Sequence, residues 1–203
     1  MFRELAGIAS RFVLYGGTAI TLRLGHRASL DFDLFSNDHF HPDALERTMP
    51  LLRGAVRSRS EPDTLVAVVD RDGPVTVSFF GGLPLSRVAD PAPAGADGPL
   101  VASLLDLAAT KVKVVQDRAE AKDYLDVARL LDEGILLGQA LAAALAVYGS
   151  TFNPLLSLKA LAYFGDGDLP SLPKETREVL ERAVRGTRVE AVRPLAPRGG
   201  IVP

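Results

Sequence analysis

The run Phe12-Val13-Leu14-Tyr15, the pair Gly16-Gly17, and the run Ser29-Leu30-Asp31-Phe32-Asp33-Leu34-Phe35 constrain this chain more than anything else in it. A short apolar run broken by glycines reads as a strand and a tight turn. Thr18 to Leu24 reads as the helix that follows, stopped by Gly25, and Leu30 to Phe35 as a second strand. Side chains alternate across a strand, so Ser29, Asp31 and Asp33 share one face and Leu30, Phe32 and Leu34 the other. Carboxylates side by side repel each other and lose hydration. A divalent cation removes both penalties, and Mg²⁺ is commonly held by one or two carboxylates together with substrate phosphates. The glycine turn brings backbone N–H groups to a helix start, which suits a phosphate. Asp31 and Asp33 are therefore candidate ligands of Mg²⁺ or Mn²⁺. Gly16, Gly17, Thr18 and Ser29 are candidate phosphate contacts. Metal and phosphate held together point to nucleotide chemistry.

Around this core the chain reads as a mixed sheet followed by helices. Residues 2–10 suggest a short helix, and Pro42 to Arg53 another, with proline tolerated in its first turn. Val56–Ser60, Thr64–Asp70 and Val75–Phe80 alternate like strands, with a hairpin turn at Arg71-Asp72-Gly73. Ala89 to Pro99 contains Pro91, Pro93, Gly95, Gly98 and Pro99 and reads as a linker. Beyond it the periodicity is helical, over 103–118, 121–133, 137–147, 154–163 and 173–185. The expected fold class is α+β: a mixed sheet with flanking helices in residues 1–90, a helical bundle in 100–192, and a poorly ordered tail over 193–203.

Composition narrows the functional classes. A net charge of −2 over 203 residues gives no general basic footprint for nucleic acid, although 23 Lys and Arg leave room for a local groove. The absence of cysteine excludes disulfides and thiolate metal sites. Met1 to Leu5 carry charge where a signal peptide would be apolar. The apolar stretch from Leu136 to Val147 is too short to span a bilayer. These features suggest a soluble, cytoplasmic protein with no membrane partner. His39 and His41 lie near each other without a third ligand, so zinc is not expected, and His26 reads as a turn residue.

Charges on apolar helix faces mark a second candidate region. On a helix of about 3.6 residues per turn, Lys111 lies among Leu107, Ala108, Val114 and Val115. Lys113 falls near Asp106, Thr110 and Asp117 on the polar side. A lysine on such a face either snorkels to its edge or reaches into a cleft to bind a triphosphate. On the next helix Asp123 lies between Val127 and Leu130, where it would pair with Arg118 or Lys111. Asp126 lies at the border, within reach of Lys122 at i+4. The nucleotide is expected to lie between the sheet half and the helical half.

Gly16-Gly17, thirteen residues, then Asp31-Phe32-Asp33 resemble the nucleotidyltransferase signature. The longer string Tyr15-Gly16-Gly17-Thr18-Ala19, Arg23-Leu24-Gly25-His26-Arg27 and Ser29 to Phe35 resembles the AbiEii/AbiGii-type toxin nucleotidyltransferases of type IV toxin–antitoxin systems. Leu107-Ala108-Ala109-Thr110-Lys111, Arg118 and Lys122-Asp123-Tyr124-Leu125-Asp126 resemble that family's downstream motif. The resemblance implies Lys111 as the catalytic lysine, Asp123 or Asp126 as the downstream carboxylate, and Arg118 as a nucleotide contact. It also implies an NTP substrate, an RNA acceptor such as the tRNA end, and a neighbouring antitoxin. The two blocks reach from residue 12 to residue 131, and the rest matches only as a generic helical tail. One departure stands out. Many nucleotidyltransferases carry a third carboxylate on a later strand, whereas Val75 to Phe80 has none. Ser78 or Thr76 would stand at that place, and Asp70 is too near the turn. Two other readings use the same residues: transfer to a protein hydroxyl, and a non-catalytic module that holds NTP or a partner.

Overall fold

The computed structural model describes residues 4–5, 11–96 and 98–203. Apart from Glu4 and Leu5, the helix expected over residues 2–10 lies outside the described residues. The chain forms two compact units: residues 1–85, 90–103 and 199–203 make one, and residues 86–89 and 104–198 the other.

In chain order the strands are β1 (Val13–Tyr15), β2 (Phe32–Phe35), β3 (Val56–Glu61), β4 (Thr64–Asp70), β5 (Pro74–Phe80), β6 (Ser86–Arg87), β7 (Ala92–Pro93) and β8 (Leu100–Val101). The first unit is a seven-stranded mixed sheet in the order β3-β4-β5-β2-β1-β8-β7. β1 runs antiparallel to β2 and parallel to β8, and β2 runs parallel to β5. On one face Leu14, Leu34, Leu65, Ala67, Val77 and Phe79 are fully buried. Phe12 packs edge-on against Phe79 and Phe40, with ring centres 5.3 Å and 5.7 Å away. Helices α1 (Gly16–Leu24) and α2 (Pro42–Thr48) belong to this unit, and α1 contacts β1 and β2. Gly25 closes α1 in the left-handed conformation, its N–H donating to the Thr21 carbonyl at 2.7 Å.

Two expectations about this unit are corrected. The helix expected to reach Arg53 ends at Thr48 and gives way to a 3-10 turn, Pro50–Leu52. Pro50 disfavours helical geometry at the residue before it, and Met49 is extended at φ −105° and ψ 108°. The stretch 89–99 is more than a linker, because β7 and β8 extend the sheet beyond β1. Pro93 is tolerated there because β7 is the edge strand. Past Arg193 the chain makes contacts with the rest of the fold. Leu195 donates its N–H to the Ala142 carbonyl at 3.1 Å in the second unit, and Ile201 is buried in the first. Asn37 Oδ1 accepts the Ile201 N–H, while Asn37 Nδ2 donates to the carbonyls of Leu83 and Leu85 at 2.7 Å and 2.9 Å.

The second unit is built from α3 (Leu104–Val114), α4 (Ala121–Asp132), α5 (Leu137–Tyr148), α6 (Pro154–Leu161) and α7 (Lys174–Gly186). α3 packs most extensively on α5, whose Ala140, Leu141, Ala143 and Ala144 are buried. Small side chains on α5 let the two backbones approach closely. The face of α3 expected to be polar is in fact partly interior. Asp106 is buried and accepts the backbone N–H groups of Val88 and Ala89 at 2.8 Å and 3.1 Å. Buried Thr110 donates to the Leu107 carbonyl at 2.8 Å. Among the described residues no single helix is long and apolar enough to cross a membrane.

Candidate functional site

Gly16 stands at the junction of β1 and α1 with φ +73°, a left-handed conformation that glycine adopts without cost. A methyl group on Gly16 would overlap a carboxylate oxygen of Asp33. Backbone conformation and steric space therefore both call for glycine, and the Asp33 carboxylate packs directly on the turn. A methyl group on Gly17 would overlap the Arg27 guanidinium and come within 3.4 Å of Ser29 Oγ. Tyr15 supplies no side-chain cap to this helix start. The first-turn N–H groups have no partners within the helix, and the positive end of the helix favours an anion.

Thr18 ties the segment that carries Asp31 to the helix. Only 2% exposed, its hydroxyl lies 2.8 Å from Ser29 Oγ and donates to the Asp31 carbonyl oxygen. Thr18 thus holds residues 29–31 against the first turn of α1. Strand pairing begins at Phe32, so Asp31 lies just outside β2. Leu30, expected on the core face, is 63% exposed for the same reason. Asp31 is exposed and Asp33 half-buried.

The register places Asp33 between Tyr15 of β1 and Ser78 of β5. Ser78 is buried and occupies the position next to Asp33 where a third carboxylate was looked for. Thr76 lies two residues further along β5, and Asp70 sits in the hairpin, opposite Pro74, where its Oδ1 accepts the Gly73 N–H at 3.1 Å. Among the described residues no group of three or more His, Asp or Glu side chains could hold a metal. The Asp31 and Asp33 carboxylates are hard oxygen donors of the kind Mg²⁺ and Mn²⁺ take. Two such side chains would leave most of the coordination shell to water and substrate oxygens.

The second cluster lies wholly within the helical unit. Lys111 Nζ contacts Asp123 Oδ1 at 2.6 Å and Asp126 Oδ2 at 2.7 Å. Arg118 Nε contacts Asp123 Oδ2 at 2.7 Å. Lys111 is 5% exposed and both aspartates are fully buried, while the Arg118 side chain is 45% exposed. Burial alone would raise the Asp123 carboxyl. The hydrogen bonds and charges of Arg118 and Lys111 outweigh it, and Asp123 titrates below the ordinary aspartate value. Asp126 is not a border residue paired with Lys122. It faces Lys111, and Lys122 pairs with Glu120 at 2.8 Å instead. Lys113 pairs with Asp117 at 2.6 Å one turn along the outside of the helix.

The histidines build no metal centre with one another. His39 Nδ1 lies 2.7 Å from Asp63 Oδ2, and this exposed pair raises the imidazole above its ordinary value. Arg27 also lies over the glycine turn, with its Nη2 against Gly17.

Comparison with known proteins agrees with this geometry. The profile of the nucleotidyl transferase AbiEii toxin family, type IV toxin–antitoxin system, matches residues 1–193. The uncharacterized protein aq_aa25 of Aquifex aeolicus (strain VF5) is 27% identical over 188 residues, covering 88% of this chain and 89% of that protein. The fold is similar to MenT4, the nucleotidyltransferase toxin Rv2826c from Mycobacterium tuberculosis H37Rv, with TM-score 0.60 and 17% identity over 93% of this chain and 82% of that one. A crystal structure from H. pylori is similar at TM-score 0.55 and 17% identity, over 90% of this chain and 89% of that one.

Proposed function

Because the chain belongs to the AbiEii nucleotidyltransferase toxin family of type IV toxin–antitoxin systems, we propose that it transfers a nucleoside monophosphate from an NTP to an RNA 3′ end, with tRNA as the acceptor. Family membership brings a nucleotidyltransferase activity, an NTP substrate and an antitoxin partner. The RNA acceptor and the residue roles are our reading. The observation that carries it is the Asp33 carboxylate packed on the Gly16 turn, with Asp31 held two residues away by Thr18.

Asp31 and Asp33 would hold Mg²⁺ or Mn²⁺. Such an ion, when bound, neutralises phosphate charge and lowers the pKa of an attacking hydroxyl. The chain's own residues do the positioning. Backbone N–H groups of Gly16 and Gly17 meet phosphate oxygens, and Ser29 adds a hydroxyl. Thr18 is a positioning residue, since its hydroxyl is already engaged by Ser29 and the Asp31 carbonyl. In the helical unit Asp123 orients Arg118 and Lys111, and the partly exposed Arg118 guanidinium is the group there that could meet a phosphate. The acceptor oxygen bonds to the α-phosphorus as the bond to pyrophosphate breaks. Catalysis is then mainly positioning and charge stabilisation.

The test is incubation of the protein with each labelled NTP and total cellular RNA in Mg²⁺ or Mn²⁺, followed by separation of RNA from protein. Label on the 3′ ends of tRNA is the expected result. Label confined to protein would transfer the reading to protein modification at the same site.

A further inference from the structure

We propose that a groove on the helical unit is a docking site for an acidic amphipathic segment of a partner protein. The groove holds about 790 Å³ between the end of α4, the start of α5, the C-terminal half of α7 and the chain that follows it. It lies wholly within the second unit and uses neither the aspartates of β2 nor the Lys111 cluster. Its floor is apolar: Leu131, Ile135, Val179, Val192 and Leu195 line it and stay half-exposed. Leu136 lines it too and is 66% exposed. The Gln139 side chain accepts the Leu136 backbone N–H at 3.1 Å, which fixes the turn that carries this leucine. Apolar side chains held together and open to water mark protein interaction sites.

Charge selects the occupant. Arg182, Arg188 and Arg193 line the same groove and are exposed, and Asp132 is the one carboxylate among its lining residues. Among the described residues Arg182 and Arg188 pair with no carboxylate. Arg193 Nη1 donates to the carbonyls of Glu190 and Val192 at 2.7 Å and 3.0 Å, which fixes its direction and leaves its charge uncompensated. Arg185, on α7 but outside the groove, pairs with Glu181 at 3.2 Å. Like charges around an apolar floor repel one another, and carboxylates on an occupant relieve that repulsion. A segment with apolar side chains on one face and Asp or Glu at its margins meets both features, as an amphipathic helix does when laid in a groove. Arginine stems also cover apolar surface while their heads stay in water. RNA fits less well. No aromatic side chain lines the groove for a base to stack on, and a phosphate backbone would leave the leucines uncovered.

The experiment uses the full chain and a fluorescent model helix of about four turns, with leucines on one face and glutamates elsewhere. A second peptide has lysine in place of each glutamate. Binding is read by anisotropy, and every variant is checked by thermal melting. The glutamate peptide is expected to bind, more weakly as salt rises, and the lysine peptide to bind at least about tenfold more weakly than it. Arg182→Ala and Arg188→Ala should each weaken the glutamate peptide about twofold to fivefold, and Arg182→Glu/Arg188→Glu by more than about tenfold. Leu136→Ser should weaken it by about tenfold through lost apolar burial. Equal affinity for the two peptides, no binding of the glutamate peptide at millimolar concentration, or unchanged binding in Arg182→Glu/Arg188→Glu overturns the proposal. Two further outcomes overturn it by naming another occupant. Bulk tRNA that displaces the peptide and loses affinity in the same arginine variants makes this an RNA surface. Self-association in sedimentation that Leu136→Ser abolishes makes it an interface between copies. All three substituted side chains are exposed, and should Leu136→Ser melt below wild type, the arginine variants carry the test.

Discussion

Two of the protein's pairs of aspartates close in sequence are opposites. Asp31 and Asp33 sit at the start of β2, one exposed and one half-buried against a glycine turn. Asp123 and Asp126 are fully buried on α4, and Lys111 lies between them with Arg118 on the outer side. The buried pair brings its own cations, because a buried carboxylate without one costs several kcal/mol. The pair at β2 lies closer to solvent, and the proposed function has it offer oxygens to a divalent cation. Residue type and spacing are nearly the same in both. Burial and what lies opposite each carboxylate set the two pairs apart.

The sharpest way to break this contrast is to neutralise one member of each pair. Asp31→Asn or Asp33→Asn should lower nucleotide transfer by more than about a hundredfold. Transfer at the wild-type rate in either variant would remove the metal role. On the buried side, Lys111→Ala leaves two interior carboxylates short of a cation and should cost about 3–5 kcal/mol in denaturant unfolding. Lys113→Ala breaks only an outer i,i+4 pair and should cost about 0.5 kcal/mol or less. Equal losses would show that Lys111 is not the interior member. The acid limb of stability gives a finer reading. Because Asp123 titrates below its ordinary value, its contribution is whole above about pH 3.9. It is lost as the pH falls through the lower folded value. Asp123→Asn should start less stable at neutral pH and lack that limb in a pH series of melts. The smallest effect belongs to His39. Its raised value means that its pairing with Asp63 contributes below about pH 6.5 and fades as the pH rises through the folded value. His39→Gln should melt slightly lower than wild type in mild acid and match it in mild alkali.

Much of this was legible in the chain. The glycine pair, the alternation through Asp31-Phe32-Asp33 and the hairpin at Arg71-Asp72-Gly73 are local signals, and local geometry follows them. The helices past residue 103 follow from their apolar spacing in the same way. What could not be read depended on distant partners. β7 and β8 exist because β1 has an open edge to pair with, which Pro- and Gly-rich residues at 89–99 do not announce. Asp106 counted as a surface charge until the N–H groups of Val88 and Ala89 were seen to end on it. Asp126 turned inward because Lys111 needed two carboxylates, and a helical wheel drawn for α4 alone has no lysine on it.

The Asn37–Ile201 contact bears on the order in which the sheet unit closes. Its two residues are 164 positions apart, so its loop-closure entropy exceeds that of a ten-residue hairpin by about 2 kcal/mol. Turns such as β4–β5 can form early, while this clasp gains only once most of the intervening chain has collapsed. It should therefore be among the last contacts made and the first released. Asn37 follows Asp33 by four residues, and its side chain also holds Leu83 and Leu85. Trimming residues 199–203 would leave a carbonyl oxygen of Asn37 without its donor and an apolar seat uncovered. Hydrogen exchange should then quicken first in the loop that leaves β2. A change at the far end of the sequence would thus be felt four residues along the chain from Asp33.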